Sequence, residues 1–154
     1  ELLEKSLNSG DRILDMGCGS GILSIGAMLL GAESAVAVDI EQNAAETAME
    51  NAVKNHISPE KYETFYGNIL TDEKLADRID AKYDVIAANI VADVLIAMKE
   101  HFLRYIKNDG TLIVSGIIEE RMHEVIDALE GVGFRDPEIN VKEGWAAVKL
   151  AAPL

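Results

Sequence analysis

Asp15-Met16-Gly17-Cys18-Gly19-Ser20-Gly21 is the stretch that decides how this chain folds. It follows a short apolar run, Arg12 to Met16, which reads as a strand. It precedes Ser20 to Leu30, which reads as a helix ended by Gly31. Glycines in such a junction let the backbone turn tightly and let a ligand approach without meeting a Cβ. The free N–H groups at the start of the following helix favour a carboxylate or phosphate there. The spacing narrows the ligand. A dinucleotide fingerprint runs G-x-G-x-x-G. Here the third glycine comes one residue early, and Ile22 occupies the position that pattern reserves for glycine.

The same alternation continues outward. Residues 1–8 read as a helix stopped by Asn8-Ser9-Gly10. Beyond the loop helix come a strand at Ser34 to Val38, a helix at Glu41 to His56, a strand at Glu63 to Tyr66 and a weak helix at Asp72 to Ile79. Tyr83 to Ala88 is almost continuously apolar, as a central parallel strand should be. Val91 to Ile106 is predicted as one long helix, with Val91, Val94, Leu95, Met98, Phe102 and Ile106 on one face. Asn108-Asp109-Gly110 reads as a turn, Thr111 to Ser115 as a strand and Glu119 to Glu130 as a helix. Two strands in succession, Phe134 to Val141 and Trp145 to Leu150, close the chain, with Trp145 expected in the core. Strands alternating with helices predict a parallel, doubly wound α/β sheet, here seven-stranded. The final pair predicts an antiparallel hairpin.

Bulk properties set limits on function. One domain spanning 1–154 is expected from the length, and no internal repeat or linker interrupts it. A single cysteine permits no internal disulfide, which fits a reducing, cytoplasmic compartment. No apolar run approaches the roughly 20 residues that span a bilayer, so no membrane partner is expected. A net charge of −13 opposes direct contact with nucleic-acid backbones and suits encounter with a basic partner. His56, His101 and His123 show no metal-ligand spacing.

Ligands of open α/β sheets bind beyond the carboxyl ends of the strands. Five of the predicted strands end in small or polar residues: Asp15 with Gly17, Gly19 and Gly21; Asp39; Gly67-Asn68; Asn89; and Ser115-Gly116. Asp39 stands 24 positions after Asp15 and either accepts ribose hydroxyls or caps the helix after it. Asn68 either contacts a base or closes a turn. Asn89 either orients an amine toward a methyl group or caps the next helix. Cys18 reads as a small packing residue within the loop rather than a nucleophile.

The loop D-x-G-x-G-x-G resembles that of methyltransferases that bind S-adenosylmethionine. Longer segments narrow the resemblance: Asp11 through Ser24, Ala88-Asn89-Ile90-Val91-Ala92-Asp93-Val94, Ser115-Gly116-Ile117 with Glu119-Glu120, and Glu143-Gly144-Trp145. Together they resemble the bacterial methyltransferases of large-subunit ribosomal protein eleven. The resemblance implies a class I, Rossmann-like methyltransferase fold and S-adenosylmethionine as cofactor. It implies transfer of methyl groups to lysine side chains and an N-terminal amine of that basic ribosomal protein. It assigns the cofactor site to Asp15, Gly17, Cys18, Gly19, Gly21, Asp39, Ile40, Asn68 and Asn89, with Asn89 also at the acceptor. Members of the family carry a small N-terminal docking domain and a Gly-Thr-Gly-x-His segment ahead of this region, so residues 1–154 are expected to be the catalytic domain alone. The rival readings are a methyltransferase of another protein or small molecule, a domain that binds the cofactor without turnover, and a nicotinamide oxidoreductase.

Overall fold

The computed structural model describes residues 1–154. Seven strands form one sheet: β1 (Arg12–Met16), β2 (Ser34–Asp39), β3 (Tyr62–Tyr66), β4 (Tyr83–Asn89), β5 (Ile106–Ile118), β6 (Arg135–Lys142) and β7 (Trp145–Ala151). Their order is β3-β2-β1-β4-β5-β7-β6. The pairs from β3 through β5 are parallel, whereas β7 runs antiparallel to both β5 and β6. The predicted α/β sheet with an antiparallel terminal hairpin is what forms. No helix is long and apolar enough to cross a membrane.

Helices cover both faces because the central strands are apolar on both. Ile13, Val85 and Ile113 point into a 14-residue alanine-rich cluster under α1 (Leu2–Ser6), α2 (Ile22–Leu29) and α3 (Gln42–Lys54). Their neighbours Leu14, Ile86 and Leu112 point the other way, into a 28-residue cluster. That cluster packs under α4 (Glu73–Arg78), α5 (Ala92–Ala97), α6 (Lys99–Tyr105) and α7 (Met122–Glu130). Alternation of side chains along a strand makes one sequence run serve two cores. Small alanines let α2 and α3 lie close to the sheet, and each larger side chain buried in the other cluster contributes roughly 1.5–3 kcal/mol.

Several element ends differ from expectation. α2 starts at Ile22 because Gly21 takes a left-handed conformation at φ 84° and acts as its cap. The helix predicted over Val91 to Ile106 divides at Met98, although the Met98 amide still donates to Val94 O at 2.9 Å. Val91 precedes α5 and is exposed, and Ile106 belongs to β5, so neither shares the predicted helical face. The expected Asn108–Gly110 turn is instead a loop-out within β5. Between the Tyr83↔Ile106 and Val85↔Thr111 pairs, β4 advances two residues while β5 advances five. Residues Glu119–Arg121 form a 3-10 turn before α7. Trp145 is not a core residue. It pairs with Ile118 and stays 56% exposed, because alternation along β7 puts it on the face of Ala147 and Lys149, opposite the buried Ala146, Val148 and Leu150.

Candidate functional site

Strand order reverses at β1, which pairs with β2 on one side and β4 on the other. Connections from β1 and β4 therefore leave on opposite faces, and a crevice opens at the carboxyl ends between them. A cleft of about 280 Å³ lies there. Met16 and Gly17 after β1, Val38 to Ile40 at β2, Gly67 to Leu70 after β3, and Asn89 and Ile90 at β4 all line it. Val94 and Met98 of the following helices close it. Of the residues singled out from sequence, Gly17, Asp39, Ile40, Asn68 and Asn89 meet in this one cleft.

Gly17 holds the two halves together. Its φ is +72°, its amide donates to Val38 O at 2.8 Å, and a Cβ on it would stand 2.7 Å from Ile90 Cγ1 and 3.2 Å from Asn89 O. Only glycine lets the β1 exit lie this close to the β4 exit. Gly19 is different: a Cβ there meets nothing within 4 Å, so the loop's open side is free for a ligand. Gly21 faces neither cleft nor solvent. A Cβ on it would touch Tyr62 Oη at 2.7 Å and Ala48 Cβ at 3.0 Å, so its place is helix packing. Cys18 is buried in the alanine-rich cluster, and burial, with the Asp15 and Asp39 carboxylates, pushes its thiol up to about 12.

Asp39 ends β2 and locks the loop. Its Oδ2 accepts from the Gly19 amide at 2.9 Å and its Oδ1 from the Glu41 amide at 2.9 Å. It does not cap α3, whose cap position is Glu41. Each oxygen keeps a second lone pair for a hydroxyl. Asn68 Oδ1 accepts from the Leu70 amide at 3.0 Å, forming an Asx turn, while the residue still lines the cleft. Ile40 beside them is 66% exposed, an apolar floor with no protein partner above it.

Asn89 is the last residue of β4 and is exposed. It does not cap α5, whose cap position is Val91. A Cβ at Gly116 would stand 2.5 Å from Asn89 Oδ1. The Ser115-Gly116 segment therefore leaves the room that the amide occupies. Across the loops beyond Asn89, Arg121 joins Asp93 at 2.6 Å and Glu124 at 2.8 Å, tying the β4 and β5 exits.

Asp15 lies one position before the cleft lining and is only 1% exposed. Its Oδ2 accepts from the Ser24 amide at 3.2 Å, and its Oδ1 has no partner. Burial pushes its carboxyl up to about 6 against the Ser24 bonds. The Ser24 hydroxyl in turn meets Tyr62 Oη at 2.8 Å and Gly21 O at 3.2 Å. No local spacing connects Ser24 with Tyr62, 38 residues away, so this support beneath the loop is not visible in the sequence. The same holds for Met16, Val38, Ile69, Leu70, Val94 and Met98. As apolar residues they resemble core, and only the fold turns them toward a cleft.

Comparison with known proteins agrees with this architecture. The family model described as ribosomal protein L11 methyltransferase (PrmA) matches residues 1–152. The ribosomal protein L11 methyltransferase of Dictyoglomus turgidum is 39% identical over 148 residues, covering 96% of this chain and 46% of that protein. That of Enterococcus faecalis is 38% identical over 153 residues, covering 99% and 46%. This chain thus spans about half the length of the curated relatives it matches. A crystal structure described as a ribosomal protein L11 methylase, from Lactobacillus delbrueckii subsp. bulgaricus, superposes with a TM-score of 0.88 at 29% identity. The match covers 99% of this chain and 75% of that one. With a match running from the first helix into the last residues and a superposition over the whole sheet, this chain belongs to the ribosomal protein L11 methyltransferase family.

Proposed function

We propose that this domain binds S-adenosylmethionine in the β1/β4 cleft and transfers its methyl group to amines of ribosomal protein L11. The supporting observation is the placement of Asn89, an exposed amide on the lining of the β1/β4 cleft. The cleft suits that cofactor in its parts. Asp39 offers carboxylate lone pairs for ribose hydroxyls, and Ile40, Ile69 and Leu70 offer apolar surface for a base. Asn68 stands beside that surface, Gly19 leaves the loop open, and Asp15 Oδ1 is a buried acceptor in need of a donor. Cys18 and Gly21 serve this reading by shaping the loop from behind.

When bound, the cofactor supplies an electrophilic methyl group on a sulfonium. The protein's task is to present a neutral amine in line with it, and such orientation accounts for a large part of rate enhancements of this kind. A lysine has a pKa of about 10.4, so its neutral form at pH 7 costs roughly 4–5 kcal/mol. A carboxylate at the rim would stabilise the ammonium and raise that cost. The Asn89 amide accepts a hydrogen bond from the amine without a full charge. The surface carries the net charge of −13, which assists encounter with a basic protein at longer range. A cytoplasmic location goes with a ribosomal substrate and with a single, unpaired cysteine.

Asn89→Ala in the full-length protein tests this reading. Methylation of L11, followed by product mass, should fall by about 100-fold or more. The Kd for S-adenosylhomocysteine should move by less than tenfold, because Asp39, Asn68 and the loop remain. An unchanged transfer rate would remove Asn89 from the acceptor site. Binding of NAD in place of S-adenosylhomocysteine would overturn the cofactor class.

A further inference from the structure

One corner of the carboxyl end stays uncovered outside the cleft. β5 ends there at Ile118, and the β6–β7 turn, Glu143-Gly144, meets it: the Glu119 amide donates to Gly144 O at 2.9 Å. Ile118 and Trp145 are register partners, so their side chains share one face of the sheet. Both are exposed, and Trp145 is the chain's single tryptophan. A Cβ on Gly144 would meet nothing within 4 Å, so the turn is open as well. Glu119, Glu120 and Glu143 flank the pair in sequence, all exposed and none in an ion pair. Lys142, opposite Trp145 on β6, is the counter-charge, so three carboxylates stand against one ammonium. Arg121 is already held by Asp93 and Glu124. A lone exposed apolar side chain is ordinary. An exposed tryptophan beside an isoleucine, inside a charged rim, has the composition of a contact centre.

We propose that this corner is a docking surface for a basic segment of the protein substrate, one that carries lysine or arginine near the amine to be methylated. The inference rests on the function proposed above and adds to it a contact by which this domain itself selects its substrate. The corner lies close to Asn89. Ser115 is the register partner of Asn89, and Gly116 leaves the room that its amide occupies. From Ser115 to Ile118 is no more than about 10 Å of chain. Charge decides the occupant. With a net charge of −13, a second copy or an acidic chain is repelled from an acidic corner, whereas a basic segment meets both of its parts. Its cationic heads face the three glutamates. A guanidinium or ammonium lies over the Trp145 ring, and its methylene stem lies on Ile118.

Steady-state methylation of L11 by the full-length protein tests this. Glu119→Lys, Glu120→Lys and Glu143→Lys combined should raise the KM for L11 about tenfold at low salt, and the difference from wild type should shrink as ionic strength rises. Trp145→Ala should raise KM about tenfold, and Trp145→Phe should keep most of the wild-type value. In each variant, kcat at saturating L11 and the Kd for S-adenosylhomocysteine should change less than about twofold, which separates docking from a structural role. A wild-type KM in either the triple variant or Trp145→Ala would overturn the inference while leaving the proposed function in place. A loss of S-adenosylhomocysteine affinity parallel to the rise in KM would assign the corner to the fold instead. A wild-type dimer that Trp145→Ala dissociates would assign it to a second copy; either result overturns the inference. Absence of L11 methylation by the wild-type protein would remove the proposed function, and this docking surface with it.

Discussion

The two ends of the same sheet treat their polar groups in opposite ways. At the amino end, Asp84 of β4 accepts from the Arg12 amide at 2.8 Å and from Lys107 Nζ at 2.8 Å. Lys82 Nζ donates to Arg104 O at 2.8 Å, and Arg104 reaches Asp77 and Asp80. Every one of these groups has a partner within the protein. At the carboxyl end, Asp15 Oδ1 is buried without one, Ile40 is an uncovered apolar surface, and a Cβ on Gly19 would meet nothing within 4 Å. The other buried side-chain atom without a partner, His101 Nδ1, belongs to α6 and is not part of the cleft lining. An unpaired buried group costs stability, and at the carboxyl end it sits beside the open cleft. The amino end is tied together by its own ion pairs and hydrogen bonds, and the carboxyl end holds the open cleft.

The sharpest way to break this contrast is at Gly17, where the carboxyl end is closely packed. Gly17→Ala puts a Cβ 2.7 Å from Ile90 Cγ1 at a φ of +72°. Left-handed strain of about 1–2 kcal/mol joins an overpacking cost of about 1–3 kcal/mol. The variant should lose about 2–5 kcal/mol in denaturant unfolding and lose S-adenosylhomocysteine binding with it. Full retention of both would mean that the β1–β4 approach is not what builds the cleft.

Asp15 should behave in the reverse sense. Its folded carboxyl, at about 6, lies above its ordinary value of 3.8, so protons favour the folded state. Its contribution is fully present below pH 3.8 and is lost as pH rises through 6, about 3 kcal/mol in all. Asp15→Asn removes that loss. At pH 8 the ligand-free variant should therefore be more stable than wild type, by up to about 3 kcal/mol. Urea titrations at pH 4 and pH 8 measure it. A variant less stable than wild type at pH 8 would show that Oδ1 is satisfied after all.

The sequence exposes some of this and hides the rest for physical reasons. Tyr83 to Ala88 is legible as a central strand because Val85 to Ala88 are buried on both faces, leaving no room for polar alternation there. The loop is legible because only glycine tolerates the close approach at position 17. The hairpin is legible from two successive strands. Helix ends are not, since they depend on single dihedral angles such as that of Gly21. Trp145 misleads because its composition says core while its place in β7 puts it on the face opposite the buried Ala146, Val148 and Leu150. The Asp15–Ser24–Tyr62 support is out of reach from spacing because it joins β1, α2 and β3 through a sheet order that no single residue encodes.

Asp84 supplies the smallest and cleanest test of the contrast, because it is the amino-end counterpart of Asp15 on the neighbouring strand. Burial raises its carboxyl, but the bonds from Lys107 and the Arg12 amide outweigh that and leave it below its usual value. A depressed carboxyl contributes stability above its unfolded value and loses it as pH falls through the folded one, so Asp84 matters at neutral pH and not in strong acid. Asp84→Ala strands the Arg12 amide and frees Lys107, which should cost about 1–2 kcal/mol at pH 7. Because the damage is confined to the far end of β1 and β4, the Kd for S-adenosylhomocysteine should not change. A tenfold or greater loss of affinity would mean that the two ends of the sheet are coupled, and that binding and structural roles are not divided between them.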